Sequence, residues 1–555
     1  MLTFRAALLC AWAAAALAQS PPPLVRILSD ELDRNFRVLK EKGDPAPYYM
    51  AYSVTELDAV NASAALGAVK SSGSERLRVL DITVRVGTPN LDNYHRLRGE
   101  FAQFTSAVAL PIEDSTAAIQ RRLWLETDRV YRRASERLIK VRSAQNVKAA
   151  EDDDSGDFST EEPALHFSAP PPLTITAEQA AGRVRSLSAG FAQHAGVVSS
   201  LVSFNAQRQV RYLVATDGTR IQHGRRSARI SIVARAKALD GTDIVLGDNF
   251  DAEDPSGLPK DDAVAAVIAK AAGEVAAMLR APVAQPYVGP ALLSGRAAAV
   301  LFHEIFGHRV EGHRQKDEAD GQTFTKSVGT PVLPDFLSVV FDPTLRRAGN
   351  AVLSGWYEYD DEGVAARPVT VVDKGVLRSF LMSRSPVRGF AKSNGHGRRA
   401  PGFEVVARQS NLIVESARRE SDAKLRQALV EEVRRQGKTY GLYLRDVTGG
   451  FTTTAREGLQ AFKVMPVVVY RVFADGRPDE LIRGADVVGT PLASFSKIIA
   501  TSDKSEVFNG FCGAESGSVP AAAVAPAMLI SELEVQMKPR SQDRPPLLPP
   551  PGSAR

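Results

Sequence analysis

Residues 301–315 place the strongest constraint on this chain, because they hold three of its eight histidines and a glutamate directly after the first. The segment, LFHEIFGHRVEGHRQ, follows an apolar, alanine-rich run. Ser294 stands where a helix N-cap is expected, so a buried helix is predicted to begin there. His303 and Glu304 on such a helix, with His308 nearby, are typical of a zinc hydrolase that presents two imidazole ligands and a general base.

The spacing of these two histidines departs from the common pattern H-E-x-x-H. In a helix of about 3.6 residues per turn, ligands four residues apart share a face, whereas residues five apart point about 140° away from each other. His303 and His308 become joint ligands only if the helix is kinked or bulged between them, and Gly307 tolerates such a distortion. The alternative is one core histidine and one surface histidine at a helix end. A third ligand is therefore needed to distinguish a shared metal site from this alternative.

A chain of 555 residues is too long for one ordinary hydrophobic core, which predicts two or more domains. Its net charge of +5 is mild and its basic and acidic residues are interspersed, so we expect no binding to nucleic acid. Helical and strand-like periodicities together predict an α+β fold. We expect an N-terminal α+β domain over residues 24–281. A β-rich C-terminal domain over residues 287–537 would then open with the His-Glu helix.

Local patterns predict several strands within the N-terminal domain. Residues 48–56 and 76–86 are expected to be strands, with residues 71–74 as a turn. Residues 197–237 are expected to form a strand meander that turns at Asp217 and Gly218. The helix predicted at residues 115–147 is long and charged, with a solvated face.

The two ends of the chain suggest export and a flexible tail. Residues 1–18 predict a secretory signal peptide, with Arg5 as the positive start and a small-x-small cleavage site at residues 16–18. An uncleaved anchor is the alternative, but no stable membrane span is expected because the apolar run is short. The protein is therefore expected to be exported, to the periplasm or outside the cell. Residues 538–555 are rich in proline and are predicted to be disordered.

An acidic run interrupts the N-terminal domain. Residues 151–162 read EDDDSGDFSTEE, and three prolines follow at residues 170–172. We predict an exposed linker over about residues 151–172. A calcium site is the more specific alternative, but the run lacks the regularly alternating ligand residues of a known calcium loop.

Cys512 would be the only cysteine left after removal of the signal peptide, because the other is Cys10. An exported protein with one cysteine has no internal disulfide, so its thiol is predicted to be buried, reactive or metal-bound. Its surroundings, FNGFCGAESGSVP at residues 508–520, predict a glycine-rich loop. A thiolate is a good zinc ligand, and with two imidazoles it would leave one open position, as in a catalytic zinc site. The alternative is an inert buried thiol.

Five motifs in the second half resemble those of the TldD/PmbA metallopeptidases. Residues 303–312 are similar to the family's H-E-x-x-G-H-x-x-E-G. Residues 360–363 and 376–382 resemble its D-D-E-G and G-V-L segments, and residues 395–399 resemble G-N-G-R-R, with His396 where asparagine is usual. Residues 482–489 and the segment from Cys512 to Pro520 resemble the family's C-terminal end. The resemblance covers most of the mature chain and is most specific in the second half.

Together with the signal peptide, this resemblance implies an exported zinc-dependent peptidase that acts on unfolded peptides or small proteins and holds one Zn²⁺ per chain. His303, His308 and Cys512 would be the ligands. Glu304 would be the general base that takes a proton from a zinc-bound water and later gives it to the leaving amine. The chain keeps the metal motif, so it resembles TldD rather than the PmbA/TldE-like partners that lack it. Family members pair, which implies a homodimer or a heterodimer with a PmbA/TldE-like chain.

Further polar residues near these motifs are weaker candidates. Glu311 lies one helical turn after His308 and could orient that ligand or form a surface ion pair. Arg398 and Arg399 could hold a peptide carbonyl or a C-terminal carboxylate, or form structural salt bridges. His396 departs from the family pattern, and no role is assigned to it. His313, beyond the matched motif, is predicted to be a solvated residue at a helix end.

Two other functions fit the same motifs. The chain could be a non-catalytic secreted partner subunit of a TldD/PmbA-type complex, although a scaffold would need no general base and Glu304 is intact. It could also be a zinc hydrolase of another amide bond, because the shape of the cleft decides between peptides and other amides.

Overall fold

A computed structural model describes residues 20–97, 99–145, 153–316, 320–456, 462–489, 494–540 and 542–548. The predicted signal peptide and the last residues of the proline-rich tail lie outside them. Seven α-helices are described: α1 (Pro23–Lys42), α2 (Thr116–Gln145), α3 (Ala177–Ser188), α4 (Asp261–Arg280), α5 (Gly295–Ile305), α6 (His313–Lys316) and α7 (Asp422–Arg435). Short 3₁₀ turns span Ala189–Gln193, Pro255–Gly257 and Gly307–Val310.

The described strands fall into two groups along the chain. Those of the first half are β1 (Pro47–Ala65), β2 (Ala68–Thr88), β3 (Leu91–Asp92), β4 (Val108–Ala109), β5 (Leu165–Phe167), β6 (Ser199–Ala215), β7 (Arg220–Lys237) and β8 (Asp243–Ala252). Those of the second half are β9 (Tyr287–Leu293), β10 (Leu337–Phe341), β11 (Arg347–Ala348), β12 (Ala351–Val352), β13 (Val369–Asp373), β14 (Val376–Leu377), β15 (Gly397–Arg398), β16 (Val406–Ala407), β17 (Asn411–Ser416), β18 (Tyr440–Thr452), β19 (Phe462–Phe473), β20 (Glu480–Ile482), β21 (Ala485–Gly489), β22 (Ile498–Ala514) and β23 (Gly517–Met537).

The first half forms an eight-stranded sheet with the order β3-β2-β1-β6-β7-β5, in which β4 pairs with β2 and β8 with β7. Successive side chains of a strand point to opposite faces. The even-numbered apolar side chains of β1, β6 and β7, such as Val54, Val210 and Ile230, are buried in the two cores to which α1, α2, α3 and α4 contribute. This pattern places all four helices on one face of the sheet.

The turn between β1 and β2 differs from the expected one. It lies at Leu66 and Gly67, which both have positive φ (52° and 82°), and residues 71–74 pair with β1 inside β2. The predicted turn at residues 71–74 is therefore wrong, because serine and glycine in that segment are tolerated by an exposed part of the strand. The turn at Asp217 and Gly218 between β6 and β7 is confirmed.

The other face of this sheet packs against the second half of the chain. Tyr49 and Leu213 lie there in a small core with Phe158. The backbone N–H of Ser159 donates to the carbonyl of Arg384, and the guanidinium of Arg384 donates back to the Ser159 carbonyl. Asp157, Phe158 and Ser159 are buried, so the prediction of an exposed acidic linker is wrong for them. They lie at the interface between the two halves, while residues 151 and 152 fall outside the described chain.

The second half is built on an eleven-stranded sheet with the order β14-β13-β10-β17-β23-β21-β19-β18-β9, in which β20 pairs with β19 and β22 with β23. β9 pairs with both β18 and β23, so five of these strands close into a ring. α5 is buried on nearly every side and shares one core with these strands; only Arg296 and His303 among its residues are partly exposed. A helix that is apolar all round needs such an enclosure.

The predicted α+β class and the strand-rich second half are confirmed by this architecture. The division at about residues 281–287 and the limits of the two domains stay predictions. Among the described residues, no helix combines the length and the apolar composition needed to cross a bilayer.

Candidate metal centre

The helix that carries His303 ends before it reaches His308. The hydroxyl of Ser294 accepts a hydrogen bond from the backbone N–H of Ala297, which caps α5 as predicted, and the helix ends at Ile305. The 3₁₀ turn Gly307–Val310 then changes the direction of the chain. The ring centroids of His303 and His308 consequently lie 5.1 Å apart. Of the two alternatives left by the sequence, the structure shows the distorted helix.

Gly307 is required at this break by a close approach rather than by its backbone angles. A Cβ atom on residue 307 would lie 2.0 Å from Oε1 of Gln409. The side-chain amide of Gln409 donates to the carbonyl of His303 at 3.2 Å. Gln409 thus occupies the space that a side chain at position 307 would need, and it fixes the end of the helix next to the first histidine.

Cys512 reaches the same place from β22, more than two hundred residues later. β22 and β23 form a hairpin in which Cys512 lies opposite Val519. The predicted glycine-rich loop is therefore wrong, because the glycines around Cys512 belong to a paired strand. Its Sγ is 3.2 Å from Nε2 of His303 and 3.4 Å from Nε2 of His308.

These three side chains fit a zinc ion by both chemistry and geometry. Their ligand atoms, two imidazole nitrogens and one sulfur, all lie within 4.8 Å of one another. Nitrogen and sulfur donors are those that zinc prefers, and three protein ligands leave a fourth position open. Burial opposes ionisation of the Cys512 thiol, but His308 and His303 hold its pKa well below its usual range. The low pKa favours the thiolate, which is the form that binds metal.

Glu304 lies beside this cluster and is also buried, with 8% of its surface exposed. Its Oε2 is 4.0 Å from Nε2 of His308. Burial raises the pKa of its carboxyl, which makes the carboxylate a stronger base. Gly450 of β18 makes room for it, since a Cβ atom there would lie 2.7 Å from Cγ of Glu304.

A cleft of about 370 Å³ opens onto the cluster. One wall comes from α5 and the β22–β23 hairpin, and includes Glu304, Cys512 and the side chain of Phe511, which is 60% exposed. Arg229 and Asn249 of the first sheet line it from the opposite side. The cleft therefore lies between the two halves of the chain, and His303, Glu304 and Cys512 line it, with His308 next to them.

Glu311 contacts the second histidine from behind. Its Oε2 accepts hydrogen bonds from Nδ1 of His308 at 3.3 Å and from Nε of Arg314 at 2.8 Å, and Nε of Arg408 is 3.5 Å from its Oε1. Burial opposes its ionisation, but His308 and Arg314 lower the pKa of Glu311 to about 2. The carboxylate is fully buried, so the alternative of a surface ion pair is wrong.

Residues 286–537 match the family profile described as the PmbA/TldA metallopeptidase C-terminal domain, and residues 170–280 match the profile of its central domain. The chain belongs to the TldD/PmbA family. The recognition based on five short motifs is thereby confirmed.

Two curated relatives of this TldD/PmbA family member are metalloproteases. A metalloprotease of Methanocaldococcus jannaschii is 28% identical over 232 residues, which are 41% of this chain and 46% of the relative. A zinc metalloprotease TldD homolog of Saccharolobus solfataricus is 22% identical over 253 residues, which are 44% of this chain and 51% of the relative. The matched region thus spans about half the length of each relative.

The fold of this family member is also that of solved structures. TldE from Thermococcus kodakarensis aligns with a TM-score of 0.61 over 93% of this chain and 100% of the other, at 11% sequence identity. At that identity the likeness concerns the fold alone, and it agrees with the α+β architecture described above.

His313 is placed differently from the expectation for this TldD/PmbA chain. It is buried, and its imidazole hydrogen-bonds to Glu515, which lies between β22 and β23. Arg314 donates to the other oxygen of Glu515 at 2.9 Å. The prediction of a solvated histidine is wrong, because its partner comes from a hairpin 202 residues further along the chain.

Residues 360–363 and 395–399, which read DDEG and GHGRR in this chain, hold each other in place. Asp360 accepts a hydrogen bond from the backbone N–H of Gly397, and Asp361 accepts one from that of Arg399. His396 is completely buried and hydrogen-bonds through Nε2 to the Ser410 hydroxyl at 3.0 Å.

Both arginines of the second segment are buried and donate to backbone carbonyls, Arg398 to Gln409 at 2.5 Å and Arg399 to Phe403 at 3.2 Å. Within the described residues, neither forms a salt bridge or hydrogen-bonds to His303, His308 or Cys512.

Sequence reasoning missed four residues that shape this family site: Gln409, Arg408, Gly450 and Glu515. Arg408 is fully buried and donates to the carbonyl of Cys512 at 2.6 Å and to the Ser516 hydroxyl at 2.7 Å, which fixes the hairpin that carries the thiol. Each acts on the site across a long sequence separation. Glu515 lies within the segment from Cys512 to Pro520, and a polar run at residues 408–411 includes Arg408 and Gln409, but neither pattern indicates which distant residue is contacted.

Proposed function

We propose that this chain is an exported zinc-dependent peptidase that hydrolyses peptide bonds in unfolded peptides or small proteins. The observation that carries the proposal is the convergence of His303, His308 and Cys512 beside the buried carboxylate of Glu304, at a cleft lined by two of these ligands and by Glu304. Family membership and the metalloprotease names of the relatives support it.

One zinc ion per chain fits this arrangement. Among the described residues, His303, His308 and Cys512 are the one group of three such side chains close enough to share an ion. Zinc bound there would act as a Lewis acid toward a scissile carbonyl and would lower the pKa of a water molecule. The name of the Saccharolobus solfataricus relative, a zinc metalloprotease, supports this choice of metal.

Glu304 would move the proton in this reaction. Its carboxylate is 4.0 Å from Nε2 of His308, and its raised pKa suits a group that would accept a proton from attacking water and return it to the leaving amine. Gly450 keeps the carboxylate in place by leaving no side chain between it and β18. A scaffold subunit would need no carboxylate in this position.

The walls of the cleft suit an extended chain. Val300, Met465 and Phe508 offer apolar contacts, and the side chain of Phe511 projects into solvent at the edge. Glycines at positions 449, 450 and 510 leave backbone accessible along the same cleft. Apolar walls and open backbone favour a peptide without stable structure over a folded surface.

Export and pairing complete the proposal. The pattern of residues 1–18 supports export to the periplasm or the cell exterior. Family membership and the likeness to a TldE structure support pairing as a homodimer or with a PmbA/TldE-like chain.

The test is cleavage of a labelled unfolded polypeptide by the mature chain loaded with zinc, alone and with a PmbA/TldE-like partner. Glu304→Gln should bind zinc normally and lose cleavage by roughly 10²-fold or more, the usual effect of removing a general base. Glu532→Gln, at an exposed position far along β23, serves as the control and should keep full activity. Equal cleavage by wild type and Glu304→Gln would contradict the role of Glu304. If the zinc-loaded wild type cleaves nothing, either alone or with the partner, the result would favour the alternative that this chain is a non-catalytic subunit.

A further inference from the structure

A second, smaller cavity lies between the two halves of the chain. It is lined from the first sheet by Arg211, His223 and Arg225, and from the second half by Tyr357 and Arg398. In the β6–β7 ladder, Arg211 lies opposite His223 and Gln209 opposite Arg225, so these side chains share one face of the sheet. The cavity has room for about 30 Å³, roughly twice the space that one water molecule needs, so a small group such as a carboxylate can enter it.

Positive charge in this cavity exceeds the negative charge that faces it. Arg211 forms an ion pair with Asp361. Arg225 and Arg398 instead donate to the backbone carbonyls of Ser354 and Gln409, at 2.6 Å and 2.5 Å. Neither of these two guanidiniums has a carboxylate within salt-bridge distance among the described residues.

The remaining carboxyl of the cavity does not balance these charges. Asp360 accepts three backbone hydrogen bonds, from Glu362, Val364 and Gly397. Burial and the neighbouring Glu362 raise the pKa of Asp360 to about 8. The guanidiniums also oppose one another: burial and the charge of Arg398 lower the pKa of Arg225 to about 10.

The hydrogen bonding of His223 is a second observation that favours a ligand in this cavity. Its side chain is 93% buried, lines the cavity, and packs edge-on against Tyr359 at 5.9 Å between ring centroids. In the described part of the chain, its ring nitrogens have no hydrogen-bond partner. These nitrogens are not among the polar atoms sealed from solvent, so an acceptor that enters the cavity can pair with them.

We propose that this cavity binds a carboxylate group, with Arg225, Arg398 and His223 as its donors. Arg398 is buried and Arg225 is partly buried, and guanidiniums that lack an anion recognise the planar oxygens of a carboxylate better than any neutral group. The inference rests on this geometry and holds whether or not the chain hydrolyses peptides.

The position of the cavity connects it to the metal cleft. Pro520 lines the cavity, and its partner across the hairpin, Phe511, lines the metal cleft beside Cys512. Paired residues on neighbouring strands are about 5 Å apart. The carboxylate could therefore be free in solution or be the C-terminal carboxylate of a peptide in that cleft.

The test uses acetate as the probe and the full chain carrying Cys512→Ala, so that no carboxylate can bind to zinc at the three-ligand site. Trp356 lines the cavity and reports binding by its fluorescence, once Trp12→Phe and Trp124→Phe remove the other two tryptophans of the chain. Acetate should change the emission saturably and acetamide should not. Arg225→Gln should weaken acetate binding roughly tenfold or more. The matched control Arg226→Gln, whose side chain points to the other face of β7 and pairs with Asp254 at 2.7 Å, should not.

Two further arms separate the sources of the anion and guard against misfolding. A tripeptide acid that competes with acetate, while its amide does not, would identify a peptide C-terminus as the ligand; acetate binding alone would identify a free anion. His223→Gln provides a second variant if Arg225→Gln fails to fold by circular dichroism. Equal responses to acetate and acetamide, or equal affinities in the Arg225→Gln and Arg226→Gln chains, would overturn the proposal.

Discussion

Glu311 holds His308 by a hydrogen bond of 3.3 Å between its Oε2 and Nδ1 of the imidazole. A carboxylate only accepts, so this bond keeps a proton on Nδ1 and directs Nε2 toward Cys512, as the nitrogen available to a metal. The carboxylate is itself fixed by Arg314, so the orientation of the ligand is set before any metal arrives.

We predict that Glu311→Gln lowers zinc affinity about 10- to 100-fold, the usual effect of losing such a partner. The amide carries no charge to balance Arg314 and supports His308 less well. Competition with a chromophoric chelator measures the change. Glu304→Gln, which alters a carboxylate on the other side of His308, is the control and should keep its affinity. An unchanged affinity in Glu311→Gln would show that Glu311 does not position the ligand.

Removal of the thiol should empty the site. We expect about one zinc per mature wild-type chain and none in Cys512→Ala, because two neighbouring imidazoles alone bind zinc weakly. Elemental analysis after dialysis measures the metal content. Phe511→Ala changes the adjacent residue of the same strand, whose side chain is exposed, and should retain the metal. Zinc retained by Cys512→Ala would mean that the ion is held elsewhere.

A single methyl group at position 450 should separate metal binding from turnover. In Gly450→Ala the new Cβ would lie 2.7 Å from Cγ of Glu304 and 2.8 Å from the carbonyl of Lys463, so the carboxylate must move. We expect peptide cleavage to fall about 10²-fold while zinc remains bound, since small displacements of reacting groups have effects of this size. Gly513→Ala, at a position with no atom within 4 Å of the new Cβ, should behave as wild type. A fully active Gly450→Ala would show that Glu304 tolerates displacement.

The buried imidazole of His396 should make the fold sensitive to acid. Burial lowers its pKa to about 3, whereas an unfolded histidine titrates near 6.5, so between these values the unfolded chain binds the extra proton. Stability is therefore lost as pH falls below about 6.5, by roughly 2 kcal/mol at pH 5 for this residue.

His396→Asn introduces the residue usual in this family and should reduce the loss of stability between pH 7.5 and pH 5 by that amount. Urea unfolding at both pH values measures it. The same pH dependence in wild type and variant would contradict the prediction.

Local sequence patterns predict those features of the site whose residues all lie within one short segment. The break between His303 and His308 could be anticipated, because the five-residue spacing and Gly307 both lie within one short segment. His313 could not be placed, since Glu515 approaches it only after the β22–β23 hairpin has folded over α6. Burial of Cys512 is one of the three alternatives that the sequence leaves open, but the predicted loop is a strand, because glycine usually marks turns and pairing with β23 overrides that preference.

The order of the ligands along the chain has a consequence for biosynthesis. Two of them come from residues 303 and 308, and the third, at residue 512, lies close to the end of the described chain. A nascent polypeptide still held by the ribosome presents two imidazoles without their thiolate, and without Arg408 anchored to the hairpin. The complete set forms only when the last long strands of the sheet have been synthesised and paired. Any hydrolytic capacity of this protein is thus withheld until β22 and β23 have been synthesised and paired, long after the two histidines have left the ribosome.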